Sequence, residues 1–304
     1  MPFGLKNAPS EFQKIMIDIF IPYMDFIIVY IDDILIFSET LELHFKHLDL
    51  FKKLIIQNGL VISKPKICIF QTKIRFLGHF IENGKITPIN RAIEFASKFS
   101  DKILDKKQLQ RFLGSLNYIS PYYKNLSQNL APLYDRLKQN NIPWNDKLTN
   151  LVKQIKFKIQ YLPCLSLVNP KWSKVIETDA SNIGFGGILK QINPDNKQIY
   201  LVRFHSGKWT NSQKKYATVA HEMLAIVKCV LKLQNDLYNQ KFIIITDSHS
   251  VKFMFNKDFK NDTSKQMFAR WQAQLTPFDF EIFYKKGSEN SLPDFLSREF
   301  LQVS

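Results

Sequence analysis

Residues 23–37 read YMDFIIVYIDDILIF, an apolar and β-branched run from Phe26 to Phe37 that is broken only at Asp32 and Asp33. Two short hydrophobic runs separated by turn-forming residues are the pattern of a hairpin, so this stretch reads as two strands joined by an acidic turn. Adjacent carboxylates repel one another unless a cation lies beside them. Asp is also a common residue of solvated turns, so the pair by itself leaves both a metal site and an ordinary turn open. Upstream, Pro2, Gly4 and Pro9 precede Phe12, Ile15, Met16, Ile19 and Phe20, which share one helical face, so a loop feeds a helix there. Downstream, a helix is expected over about residues 43–58, ended by Gly59, followed by strands at 60–70 and 74–81 and a turn at Asn83-Gly84.

The pattern changes twice further along. Helices and turns rich in Lys, Asn and Tyr fill residues 88–165, and Pro163 to Pro170, followed by Trp172, reads as a boundary. Strands then follow at 174–177, 186–190 and 200–204, with a long helix over about 212–233 and a strand at 242–246. Strands, a helix, a strand and further helices describe an α/β domain.

With 304 residues and 45% hydrophobic content, two domains are a better expectation than one. Lys plus Arg number 42 against 27 Asp plus Glu, a formal charge of +15. That excess favours a polyanionic partner through release of condensed counterions, although it equally describes a soluble basic surface. The three cysteines, Cys68, Cys164 and Cys229, are far apart and form no C-x-x-C pair, which argues against structural zinc and a disulfide framework and fits a reducing setting. No apolar run has the length of a membrane helix, so no membrane partner is expected.

Four acids stand out in the second half. Asp179 follows a short strand in Glu177-Thr-Asp-Ala-Ser181, and Asp247 directly follows Phe242-Ile-Ile-Ile-Thr246. Glu222 lies on the same helical face as Val219 and Ile226, where an acid needs a cation or hydrogen bonds. Asp294 follows Leu292-Pro293 at the expected start of a last helix. Asp179, Asp247 and Asp294 each read equally as a cap.

Tyr30-Ile-Asp-Asp33, with Met1-Pro-Phe-Gly-Leu-Lys-Asn-Ala-Pro-Ser-Glu-Phe-Gln13 before it and Phe76-Leu-Gly-His79 after it, resembles the reverse transcriptase palm of retroelements. The resemblance implies that Asp32 and Asp33 are catalytic and bind Mg²⁺. It also implies nucleotide and template contacts for Phe3, Gly4, Gln13 and Tyr30, and a grip on the primer strand by Phe76, Leu77, Gly78 and His79. The family carries a third metal-binding aspartate upstream of the Met-Pro-Phe-Gly segment, for which Asp25, on the same strand as Asp32, is a poor substitute. The chain is therefore expected to be N-terminally truncated and to synthesise little or no DNA alone, with completion by a fingers fragment in trans as a further possibility.

Asp179, Glu222, Asp247 and Asp294, in the contexts T-D-A-S, H-E-M-L-A-I, T-D-S-H-S and N-S-L-P-D-F-L-S-R, are similar to the four-carboxylate set of the retroelement ribonuclease H family. That implies four catalytic, metal-binding acids holding two Mg²⁺ ions, and hydrolysis of the RNA strand of an RNA/DNA hybrid. Where many members carry a loop histidine, this chain has Tyr284-Lys-Lys-Gly-Ser-Glu-Asn290, and Lys286 is a candidate for product release. His221 and His249 adjoin two of the acids but are assigned no catalytic role. Residues 109–124 resemble the thumb and connection, and Arg203, Phe204, Lys208 and Trp209 the segment that borders the hybrid.

The phrases L-P-C-L-S-L, E-T-D-A-S, G-G-I-L-K-Q, V-R-F-H-S-G and L-P-D-F-L-S-R-E-F-L-Q look most like the enzymatic polyproteins of plant pararetroviruses, relatives of gypsy-type retroelements. The expected fold is α/β (α+β): a partial palm over 1–87, a thumb or connection over 88–165 and a ribonuclease H-like domain over 166–304. The expected partners are an RNA/DNA hybrid, an RNA template with a DNA primer, and dNTPs if the polymerase is completed in trans. The expected location is intracellular and cytoplasmic, within a virus-like particle or the nucleus as variants. The alternative is a catalytically silent nucleic-acid-binding remnant of an integrated element.

Overall fold

The structure is a computed structural model, and it describes residues 7–138, 142–249, 251 and 263–285. The chain packs as two compact units, residues 1–78 and 79–304.

In the first unit, α1 (Ala8–Phe20) precedes the hairpin of β1 (Ile27–Tyr30) and β2 (Asp33–Ile36), and α2 (Leu41–Gln57) follows. Pro9 enters α1 in its first turn, where a missing N–H costs nothing. The Thr40 hydroxyl caps α2 by accepting from the Leu43 N–H at 3.2 Å. Met16, Phe20, Ile27, Leu54 and Ile55 form the core of this unit. The strand expected over 60–70 does not form: Pro65 interrupts it, Lys64–Lys66 make a single 3₁₀ turn, and Val61 is 96% exposed. The expected strand over 74–81 is broken at Leu77-Gly78, both of which adopt positive φ, leaving β3 (Lys73–Phe76) as a separate strand.

The second unit begins with β4 (His79–Glu82) and β5 (Lys85–Pro88), joined at Asn83-Gly84, where both residues have positive φ as a two-residue hairpin turn requires. Next come α3 (Asn90–Ser97), α4 (Lys106–Ile119), α5 (Leu126–Asn129), α6 (Ala131–Lys138) and α7 (Asp146–Ile159). Their apolar faces build one core around Phe112, Leu116, Leu133, Val152 and Ile155. Asp105 and Asn145 cap α4 and α7, accepting from Gln108 and Leu148 N–H groups at 2.8 and 3.0 Å.

The stretch 163–170 is pinned at several points. β6 (Leu165–Ser166) pairs with β5, and the buried Gln191 side chain accepts from Asn169 N–H and donates to Leu167 O and Ser166 Oγ. Beyond it, β7 (Ser173–Ala180), β8 (Gly184–Ile192) and β9 (Ile199–Lys208) form an antiparallel meander. α8 (Thr218–Lys232) then precedes β10 (Phe242–Thr246), which lies parallel to β7; α9 (Thr263–Leu275) precedes β11 (Phe280–Tyr284), parallel to β10. The sheet order is β11-β10-β7-β8-β9. α8 is shorter than expected, because residues 213–215 form a separate 3₁₀ turn ahead of it. Ten of its residues are buried, and it packs Met223, Ile226 and Val230 against Ile176 and Leu189 in the main core. On the other sheet face, Tyr122 and Leu165 pack against Ile188, Leu201 and Phe204.

Candidate active site

Three of the four acids expected to act together in the second half do meet. One carboxylate oxygen from each of Asp179, Glu222 and Asp247 lies within 4.8 Å of the others. The topology explains the meeting: β10 runs parallel beside β7 with Ile245 opposite Glu177, so two residues further each chain reaches Asp247 and Asp179 side by side. Glu222, in the first turns of α8, supplies the third group. Asp294 and Lys286 lie outside the described residues.

The electrostatics are those of three acids crowded together, one of them buried. Glu222 is buried, and its Oε2 has no hydrogen-bond partner. Burial first, and then the charges of Asp247 and Asp179, push its carboxyl up to about 8, although a backbone hydrogen bond at Ala180 opposes the shift. Asp179 is also raised, by burial and then by Asp247, with Lys124 and the Ala180 backbone pulling the other way. A buried acceptor with no donor is costly, and a hard divalent cation is what an all-oxygen carboxylate set suits. The donors present therefore fit a hard divalent cation such as Mg²⁺, which Asp179, Glu222 and Asp247 would hold.

The surroundings hold these acids in place. Glu177, two residues before Asp179, forms a buried ion pair with Lys190 on β8. Sequence reading missed this pair; its signal was a lone Lys inside the apolar run Gly186–Ile192. Trp209 Nε1 donates to Ser181 O at 2.7 Å and fixes the β7–β8 connection. His221 Nε2 lies 2.7 Å from Gln213 O, and its ring stacks on Trp209, which is a structural role. His249 stacks on Tyr284. Of the residues expected to border a hybrid, Phe204 and Trp209 are buried, Arg203 pairs with Asp236 at 2.9 Å and Lys208 bonds Asp135 at 2.5 Å. Their polar groups are thus engaged within the protein.

In the first unit, Tyr30 pairs with Asp33 across the hairpin, leaving Ile31 and Asp32 as the two-residue turn, with Ile31 at φ 52°. Asp32 and Asp33 are exposed, as is Tyr30. Gln13, half-buried on α1, donates to Val29 O at 3.2 Å and accepts from the Ile31 N–H. It therefore holds the turn that carries the aspartates. Among the described residues no third acid, histidine or cysteine joins this pair in a cluster of metal-ligating groups. Phe3 and Gly4 lie outside the described residues. Phe76, Leu77 and Gly78 end the first unit, whereas His79 opens the second, where its Nδ1 sits 2.7 Å from Tyr122 Oη and 3.1 Å from Tyr118 Oη and its ring stacks on Tyr118. Burial lowers the pKa of that imidazole.

Comparison with known proteins agrees with this division. Residues 1–81 match the family described as reverse transcriptase (RNA-dependent DNA polymerase), and residues 169–278 match the RNase H-like domain found in reverse transcriptase. The enzymatic polyprotein of cauliflower mosaic virus (strain NY8153) is 38% identical over 100% of the chain and 45% of its own length. The genome polyprotein of petunia vein clearing virus (isolate Shepherd) is 37% identical over 99% of the chain and 14% of its length. The chain thus spans less than half the length of these relatives. Among solved structures, the foamy viral protease-reverse transcriptase in complex with an RNA/DNA hybrid superposes with a TM-score of 0.78 at 22% identity, over 94% of this chain and 39% of that one. That likeness extends the shared fold across both units.

Proposed function

We propose, for a chain that belongs to the reverse transcriptase and ribonuclease H region of the plant pararetroviral polyproteins, that its carboxylate cluster hydrolyses the RNA strand of RNA/DNA hybrids. The observation that carries this reading is the meeting of Asp179, Glu222 and Asp247, from two parallel strands and a helix, with an unpartnered buried oxygen among them.

Asp179 and Asp247 are exposed at the ends of their strands and reachable by a nucleic-acid backbone, while Glu222 closes the site from below. Together with Asp294 they would hold two Mg²⁺ ions, which supply an activated water and neutralise charge on the leaving 3′ oxygen. The protein's own part is to fix the ligand oxygens, through the ladder between β7 and β10 and the seating of α8. No protein nucleophile is required.

The Asp32-Asp33 turn is read as the metal-holding element of a polymerase palm whose substrates are an RNA template, a DNA primer and dNTPs. Synthesis by this chain alone is not expected, because the pair gathers no third carboxylate among the described residues. The test is Mg²⁺-dependent cleavage of a labelled hybrid by the purified chain, beside Asp179→Asn and a primer-extension assay on the same preparation. Cleavage lost in the variant, with no extension, supports the reading; a folded protein that binds the hybrid and cuts nothing leaves only the binding remnant.

A further inference from the structure

Lys124 belongs to the helical part of the second unit, yet the chain around it is fastened to the wall of the carboxylate cluster. Asn125 adopts a left-handed conformation at φ 56°, which asparagine tolerates better than most non-glycine residues. Its side chain enters the space above Gly186, where a Cβ would collide with Asn125 Oδ1. Gly186 is the cross-strand partner of Asp179. Two residues on, Ser127 N–H donates to Ser206 Oγ at 3.0 Å and Ser127 Oγ donates to Ser206 O at 2.9 Å, and Ser206 is the partner of Gly186 on the far side. Tyr122, two residues before Lys124, is 1% exposed in the core beneath the sheet. A segment anchored at residues 122, 125 and 127 leaves residue 124 little freedom of position.

Lys124 itself is exposed and makes no ion pair or hydrogen bond with any described residue. Its charge is nonetheless felt by Asp179, whose carboxyl it pulls downward. An exposed ammonium carried on a segment fastened beside the strand of Asp179, with no ion pair among the described residues, matches what a passing phosphodiester backbone presents: an anionic oxygen next to the carboxylates.

We propose that Lys124 is a substrate-positioning residue of the carboxylate site, contributed by the helical segment, which binds a backbone phosphate of the hybrid near the bond to be cut. This rests on the ribonuclease reading above for the identity of the substrate, but not on the chain's being catalytically active. It makes the segment between the two matched domains part of the nuclease site, with Asn125, Ser127, Gly186 and Ser206 as the parts that hold it there.

The test compares wild type with Lys124→Gln, Lys124→Arg and the charge-matched control Lys147→Gln, an exposed residue of α7. Affinity for an RNA/DNA hybrid is measured across a salt series in Ca²⁺, and cleavage in Mg²⁺. The expected result is that K124Q weakens binding about 3- to 10-fold and lowers the salt slope by about one counterion, while K124R and K147Q stay near wild type. In cleavage the loss falls on KM more than on kcat. A neutral methylphosphonate placed singly along either strand should abolish the K124Q effect at one position close to the cut. If Lys124 were only a counter-ion for Asp179, K124Q would leave affinity and salt slope unchanged and shift the Mg²⁺ midpoint to lower concentration. That outcome overturns the proposal, as does an equal loss in K147Q. A wild type that binds but does not cut overturns the ribonuclease reading alone, and the binding series still decides on Lys124.

Discussion

Replacing Glu222 with Gln should stabilise the metal-free protein and abolish its response to Mg²⁺. The three carboxylates lie within 4.8 Å of one another. Two unit charges at that distance repel by about 3.5 kcal/mol at an effective dielectric of about 20. The wild-type protein avoids part of this cost by keeping Glu222 protonated, its carboxyl being raised from 4.5 to about 8 by burial and by Asp247 and Asp179. Since the folded value lies above the unfolded one, the stability is full below pH 4.5 and is lost as pH rises towards 8. The slope is at most about 1.4 kcal/mol per pH unit, and allowing for solvent screening of the cluster the loss by pH 8 is about 2–4 kcal/mol. E222Q removes the ionisation while keeping the shape, so in EDTA at pH 8 it should be more stable than wild type by about that amount. Excess Mg²⁺ should raise the wild-type midpoint by mass action and leave E222Q nearly unmoved. Urea unfolding at pH 5, 6.5 and 8, with and without Mg²⁺, reads all of this. A less stable E222Q in EDTA, or equal Mg²⁺ stabilisation of both proteins, would refute the electrostatic account.

Gly186→Ala should push the Asn125 amide aside, because the new Cβ would overlap Asn125 Oδ1, at the low end of the overpacking range, about 1 kcal/mol of unfolding free energy. Lys190→Met should cost about 3–5 kcal/mol by leaving Glu177 buried and unpaired, whereas Lys190→Met with Glu177→Leu should recover most of the loss in the same denaturation series. His205 is lowered from 6.5 to about 4 by burial and by Lys232 and Lys228. Its neutral form therefore supports the fold fully above pH 6.5 and that support is lost as pH falls towards 4, so a wild-type minus His205→Gln comparison should show an acid-side slope confined to this window.

The extent to which the sequence announced these features follows from how local each signal is. The hairpin of β1 and β2 was legible because apolar runs flank an acidic turn, and α8 because its apolar residues recur at helical spacing. The strand over 60–70 misled because Val61 and Ile62 have high strand propensity, while Pro65, inside the 3₁₀ turn of Lys64–Lys66, interrupts the run. The acids of the cluster were individually ambiguous, since a strand-end Asp and a cap look alike in sequence. Only the parallel placement of β10 beside β7, separated by more than sixty residues of chain, brings Asp179 and Asp247 together. Gln13 was read as lining a substrate site, and its grip on the hairpin backbone needed the packing of α1 to become visible. The clamp of Asn125 against Gly186 likewise joins residues that no periodicity connects.

The most direct measurement is the rate at which the purified chain cuts the RNA strand of an end-labelled hybrid in Mg²⁺, compared with Asp247→Asn. Cleavage that EDTA abolishes is expected, with a loss of at least about 100-fold in the variant, since one acid of the proposed metal-holding set is neutralised. Equal rates in the two proteins, or cleavage that survives EDTA, would contradict it.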